Sequence, residues 1–127
     1  MVDSFEMKAP KRRAISWLKA ARKGFDEFPA QAQIRILTAL EIASNGRKAD
    51  IAKPMTGFGS AIFEIALQYQ RNAYRTIYGL DLDRDIWVIH AFKKKSKKGI
   101  RTPKQEIETI RFRIIALKEM SKDEETE

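Results

Sequence analysis

Two hydrophobic periods divide the chain. Between Trp17 and Ala43 apolar residues recur every three or four positions, and between Ala61 and Phe92 they recur every second position. The first period predicts a brief helix over LKAARKGFDEFP, which carries Trp17, Ala21, Phe25 and Phe28 inward, is interrupted at Gly24 and is stopped by Pro29. Pro29 suits the first turn of a second helix, AQAQIRILTALEIASNG. Its buried stripe is Ala32, Ile36, Ala39, Leu40 and Ala43, and Asn45-Gly46 supplies a stop that tolerates positive φ. Ahead of both helices RRAISW, Arg12 to Trp17, alternates enough for a short edge strand.

The segment RKADIAKPMTGFG is expected to be a loop, because its glycines and proline oppose regular structure. The two-residue period follows. AIFEIALQY places Phe63, Ile65, Leu67 and Tyr69 on one face and Ile62, Glu64, Ala66 and Gln68 on the other. QRN is a turn, AYRTIYGL a second strand, DLDRD another turn and IWVIHAF a third strand, together an antiparallel meander. TPKQEIETIRFRIIALKEM then opens as a helix with Thr102 as N-cap, Pro103 at the first helical position and Gln105 completing a capping box. Ile107, Ile110, Ile114 and Leu117 form its buried stripe. The order β, α, α, β, β, β, α makes this an α+β fold: a short N-terminal strand and a three-stranded meander in an antiparallel sheet, packed against two N-terminal helices and one C-terminal helix.

At 127 residues the chain is long enough for one core of sheet and helix. Residues 10–120 are read as that single domain, 1–9 as a loose start without periodicity and 121–127 as an acidic tail. With no cysteine there is no disulfide, thiolate nucleophile or zinc ribbon, and with a single histidine there is no multi-histidine metal site. No cofactor or metal is expected. No run approaches the ~20 apolar residues that cross a bilayer, and MVDSFEMKAPKRR lacks the apolar region of a signal peptide, so a cytoplasmic protein is expected.

Charge changes the picture more than composition does. The net charge is +8, a surplus that draws polyanions, nucleic acid first among them. It is also clustered: Lys8 to Lys23 holds seven basic residues and no acid, and Lys93 to Lys104 holds another seven. Within IWVIHAFKKKSKKGIRTP a strand end carries five lysines and an arginine beside the only histidine, His90. A flexible cationic loop leaving a strand can follow a phosphate backbone, and each neutralised phosphate releases counterions. His90 is the one side chain that titrates near neutrality without help, hence a candidate acid or base; alternation with Val88 and Phe92 equally fits a hydrogen-bonded core residue.

The combination of FP in the first helical pair, KPMTGFG, a strand containing FEI, then YRTIY, then VIHAFKKKSKKGIRTP before a last helix resembles the RelE/HigB toxin superfamily, and within it the phage-derived HigB-like subgroup. The resemblance spans roughly Arg13 to Met120. It implies the toxin of a toxin–antitoxin pair, a small metal-independent endoribonuclease that cuts mRNA, often on the ribosome, and is held inactive by an antitoxin that is commonly a helix-turn-helix protein. RNA can be cut without metal because its 2′-hydroxyl attacks the adjacent phosphorus, given a proton acceptor, a stabiliser of phosphate charge and a proton donor. By the resemblance Arg75, in YRTIY, is a strand phosphate contact, and a guanidinium grips two phosphate oxygens at once. A salt bridge to Glu64 on the neighbouring strand is its other reading.

Motif position implies Lys94 as the transition-state cation, with Lys93, Lys95, Lys97 and Lys98 binding RNA and Lys53 as a further phosphate contact or a plain surface lysine. The catalytic set is therefore Arg75, His90 and Lys94, with Glu64 as the general base or, since a carboxylate beside phosphate is repelled, rather as the partner that positions Arg75. The chain departs from the RelE branch where FEIAL replaces strand lysines, and around Thr102, where that branch has a tyrosine. Tyr69, Tyr74, Tyr78 and Trp87 are core by alternation, with one or two free to stack on a base. Two other classes compete: a ParE-like toxin without enzymatic activity that disables a protein such as DNA gyrase, and an inert phage-derived nucleic-acid-binding protein.

Overall fold

The structure, a computed structural model, describes residues 12–95 and 102–125. Lys97, Lys98 and the expected loose start at 1–9 lie outside the described residues. The elements are β1 (Ile15–Trp17), α1 (Lys19–Asp26), α2 (Ala30–Ser44), β2 (Ala52–Met55), β3 (Ile62–Tyr69), β4 (Asn72–Gly79), β5 (Ile86–Lys95) and α3 (Lys104–Glu125). They build one five-stranded sheet in the order β1-β5-β4-β3-β2. No helix among the described residues is long and apolar enough to cross a membrane.

The α+β expectation holds, with helices covering both faces of the sheet. On one face Phe25, Ile36 and Leu40 of α1 and α2 pack against Ile65, Leu67, Tyr74, Tyr78 and Val88. On the other, Ile110, Ile114 and Leu117 of α3 pack against Ile62, Ile77 and Ile89. Strand β4, in the middle of the sheet, therefore buries both sides, including its polar Arg75 and Thr76.

Four details correct the sequence reading. The sheet is mixed, because β1 runs parallel to β5 with Ile15 opposite Ile86, an alignment tied by Ser16 Oγ donating to Asp85 Oδ2 at 2.6 Å. A fifth strand, β2, occupies the expected loop. Its Pro54 is compatible with a strand because β2 is an edge, where a missing N–H breaks no second ladder. Helix α1 runs through Gly24, since a Cβ there would come 2.5 Å from the Ala91 carbonyl oxygen; the glycine lets the helix lie close on β5. The hairpin between β3 and β4 is a two-residue loop, Gln70 and Arg71 at φ 48° and 70°, with Asn72 already paired to Tyr69.

Strand β5 contains a bulge that decides what His90 faces. Ile77 pairs with His90 and Tyr78 with Val88, so Ile89 is one residue too many. Val88 consequently packs in the core under α1 and α2, while Ile89 and His90 both meet α3. The strand also continues through Lys93, Lys94 and Lys95, which pair with Tyr74, Ala73 and Asn72. These three lysines stand on a strand where a flexible loop was expected.

Candidate functional site

Cross-strand register brings most of the candidate residues to the α3 face of the sheet. Lys53, Glu64, Ile77 and His90 are successive partners in one row, Ala66, Arg75 and Phe92 in the next, and Gln68, Ala73 and Lys94 in the third. Directly opposed residues share a face, and Ile77 fixes which face by packing against α3. Lys93, one residue from Lys94, is opposite Tyr74 on the other face.

Arg75 lies at the centre of this surface and is only 5% exposed. Its Nη1 donates to Glu64 Oε2 at 3.2 Å and to Thr102 Oγ1 at 3.3 Å. The Thr102 hydroxyl in turn donates to the same Glu64 oxygen at 2.8 Å. Thr102 thus joins the sheet cluster, and the Pro103 carbonyl accepts the Glu106 and Ile107 N–H groups that open α3. Arg75 Nε is buried without a hydrogen-bond partner among the described residues. An orphaned buried donor costs about 1–3 kcal/mol, so this guanidinium has capacity for another acceptor.

His90 is 9% exposed, and both of its ring nitrogens are engaged. Arg113 Nη1 lies 3.0 Å from Nδ1 and also donates to the Ile89 carbonyl at 3.0 Å, while Nε2 lies 2.6 Å from Glu106 Oε1. A guanidinium can only donate, so Nδ1 accepts, and Nε2 carries the proton given to Glu106. Burial pulls the His90 pKa below 6.5, with the Arg113 charge in the same direction and the Glu106 hydrogen bond and charge opposing. Burial likewise lowers Arg113, opposed by Glu106. The Phe92 ring stacks 5.2 Å from the imidazole. In this arrangement His90 is a neutral imidazole that ties β5 to α3.

The lysines divide by position. Lys94 is half-buried on the Arg75 face, diagonally adjacent to Arg75 through Phe92 and Ala73, whereas Lys93 is exposed on the opposite face. Lys53 is exposed on β2, directly across from Glu64. Glu64 and Arg75 are therefore paired, with Lys94 diagonal to Arg75; Lys53 lies beyond Glu64 on the edge strand, three strands from Lys94, and His90 is one row from Arg75.

Glu106 and Arg113 were missed by sequence reasoning. Their signal is present: each is one turn from Ile110, so two charges interrupt the face that carries the buried stripe, and a charge at such a position needs a partner across the interface.

No curated protein matches the chain. The profile of the phage-derived Gp49-like proteins (DUF891) matches residues 23–114, which takes in the whole meander and the first half of α3. The chain belongs to the Gp49-like phage-derived family, a RelE-like family associated with toxin–antitoxin systems.

Proposed function

We propose that the protein is the toxin of a toxin–antitoxin pair, related to HigB, and that it cleaves translated mRNA without a metal while a helix-turn-helix antitoxin restrains it. The supporting observation is Arg75: a guanidinium whose Nε–H has no partner among the described residues, on the sheet face that also carries Lys94. A scissile phosphate accepts from the Nε–H and the adjacent Nη2–H, the side-on edge of the guanidinium fork, while Glu64 stays on Nη1 at the other edge. Lys94 adds the second positive charge as negative charge builds on phosphorus. Lys53 borders the same surface, and Lys93, Lys95, Lys97 and Lys98 retain the RNA-binding role. His90 contributes by positioning, because its Nδ1 lone pair is held by Arg113.

One observation favours a second reading. At 5% exposure Arg75 is sealed by Glu64 and Thr102, as in a nucleic-acid-binding protein that has no catalysis. Purified protein incubated with mRNA, with and without translating ribosomes and with EDTA present, separates the two. Cleavage is expected to persist in EDTA and to fall by about 100-fold or more in Arg75→Lys and Lys94→Ala. Binding of RNA with intact message in every condition would establish the second reading.

A further inference from the structure

On the sheet face opposite Arg75 a cleft of about 350 Å³ opens between the α1–α2 turn, the start of β4 and the end of β5, within the roughly 300–1,000 Å³ of small-ligand pockets. Gly24, Pro29 and the buried Phe28 and Tyr74 form its floor, and Glu27 and Lys93 add one carboxylate and one ammonium, so polar groups make up much of its surface. Phe28 and Tyr74 are fixed by mutual packing, their rings edge to face at 4.9 Å. Glu27 and Lys93 are exposed, and neither forms an ion pair among the described residues.

We infer that this cleft is a guanine-binding subsite for RNA, in which Glu27 reads the base and Lys93 holds its phosphate. The inference rests on the RNA reading proposed above. Lys93 and Lys94 are consecutive on one strand and face opposite sides of the sheet. A single strand crossing that strand end therefore meets the cleft on one side and Arg75 on the other. A carboxylate in the cleft repels phosphate, so within a polyanion Glu27 is suited only to an uncharged hydrogen-bond donor edge. Among the four bases guanine alone offers two adjacent N–H donors, N1–H and the N2 amine, matching the two oxygens of a carboxylate. Phe28 and Tyr74 are buried beneath the cleft as a rigid floor, so a splayed base of single-stranded RNA is held there by its polar edge and by its phosphate.

Titrating the full chain with GMP, AMP, CMP and UMP, followed by calorimetry or amide chemical shifts, tests this. GMP is expected to bind about tenfold more tightly than the other three, roughly the discrimination of one good bidentate contact. Glu27→Gln should abolish that preference and Lys93→Ala should weaken all four nucleotides alike. Equal binding of the four nucleotides overturns the inference, as does a guanine preference that survives in Glu27→Gln or inorganic phosphate binding as well as GMP. The nuclease reading fails separately: guanine preference with uncut message supports the subsite and sinks only the cleavage, while cleavage by a chain with no base preference sinks only the subsite.

Discussion

Arg75 holds a full positive charge inside the sheet face, and what keeps it there is one carboxylate. The side chains of Arg75 and Glu64 are 6% and 13% exposed, so each charge has given up most of its water. Removing one partner of such a pair strands the other, at a cost of about 3–5 kcal/mol, whereas replacing both by apolar groups is often neutral. Glu64→Ala is therefore expected to destabilise the protein by that amount in urea unfolding, and Glu64→Ala combined with Arg75→Met to recover most of the loss. If the double variant were no more stable than the single one, the pair would not be the source of the cost. His90 gives a second expectation at this scale. Its folded pKa lies below 6.5, so the unfolded chain takes up the proton more readily, and stability rises with pH through this window. The stabilisation is complete above about pH 6.5 and is lost as pH falls through the lower folded value. Unfolding midpoints between pH 5 and 7.5 should show this slope in the wild type and a flatter one in His90→Gln. Strand alternation alone puts His90 with Val88; the bulge at Ile89, which nothing in the run IWVIHAF signals, turns it instead toward Glu106 and Arg113.

The elements that could be read from the sequence are those whose pattern is local. Helix α2 has its stripe at regular spacing, and β3 and β4 alternate cleanly, so each matches its expected span to within about two residues. What escaped depends on residues far apart in sequence. Strand β2 has four residues and a proline and exists only because β3 offers an edge; β1 finds its parallel partner only two helices and three strands later in the chain. The site divides the same way: Glu64 opposite Arg75 follows from the meander, whereas Thr102, Glu106 and Arg113 reach it only when α3 docks. Gly24 shows local propensity overruled by packing. Alanine in mid-helix is favoured over glycine by roughly 1 kcal/mol, yet its Cβ would lie 2.5 Å from a backbone oxygen of β5, which cannot turn aside as a side chain can. Overpacking of this kind costs about 1–3 kcal/mol. Gly24→Ala is expected to destabilise the protein net, by about 1 kcal/mol; a rise in the unfolding midpoint would mean that α1 does not press on Ala91.

For the whole molecule, a net charge of +8 acts through where it is placed. The strand end with Lys93, Lys94 and Lys95 lies beside the β3–β4 hairpin, since Asn72 pairs with Lys95, and exposed Arg71 stands at the hairpin's tip. Cations from two separate segments thus share one edge. If that edge carries RNA, its contribution is counterion release, and for single strands the slope of log affinity against log salt changes by about 0.7 per phosphate neutralised. Removing two cations, in Lys93→Gln with Arg71→Gln, is then expected to flatten the slope by about 1.4. The loss in affinity should be large at low salt and small where screening confines charge interactions to roughly 3 Å, near 1 M. Neither substitution touches the Arg75, Glu64 and Thr102 cluster, so cleavage at saturating RNA should persist while binding weakens. An affinity loss of the same size at every salt concentration would show that these residues act through packing or shape, and the cationic edge would have no part in holding the strand.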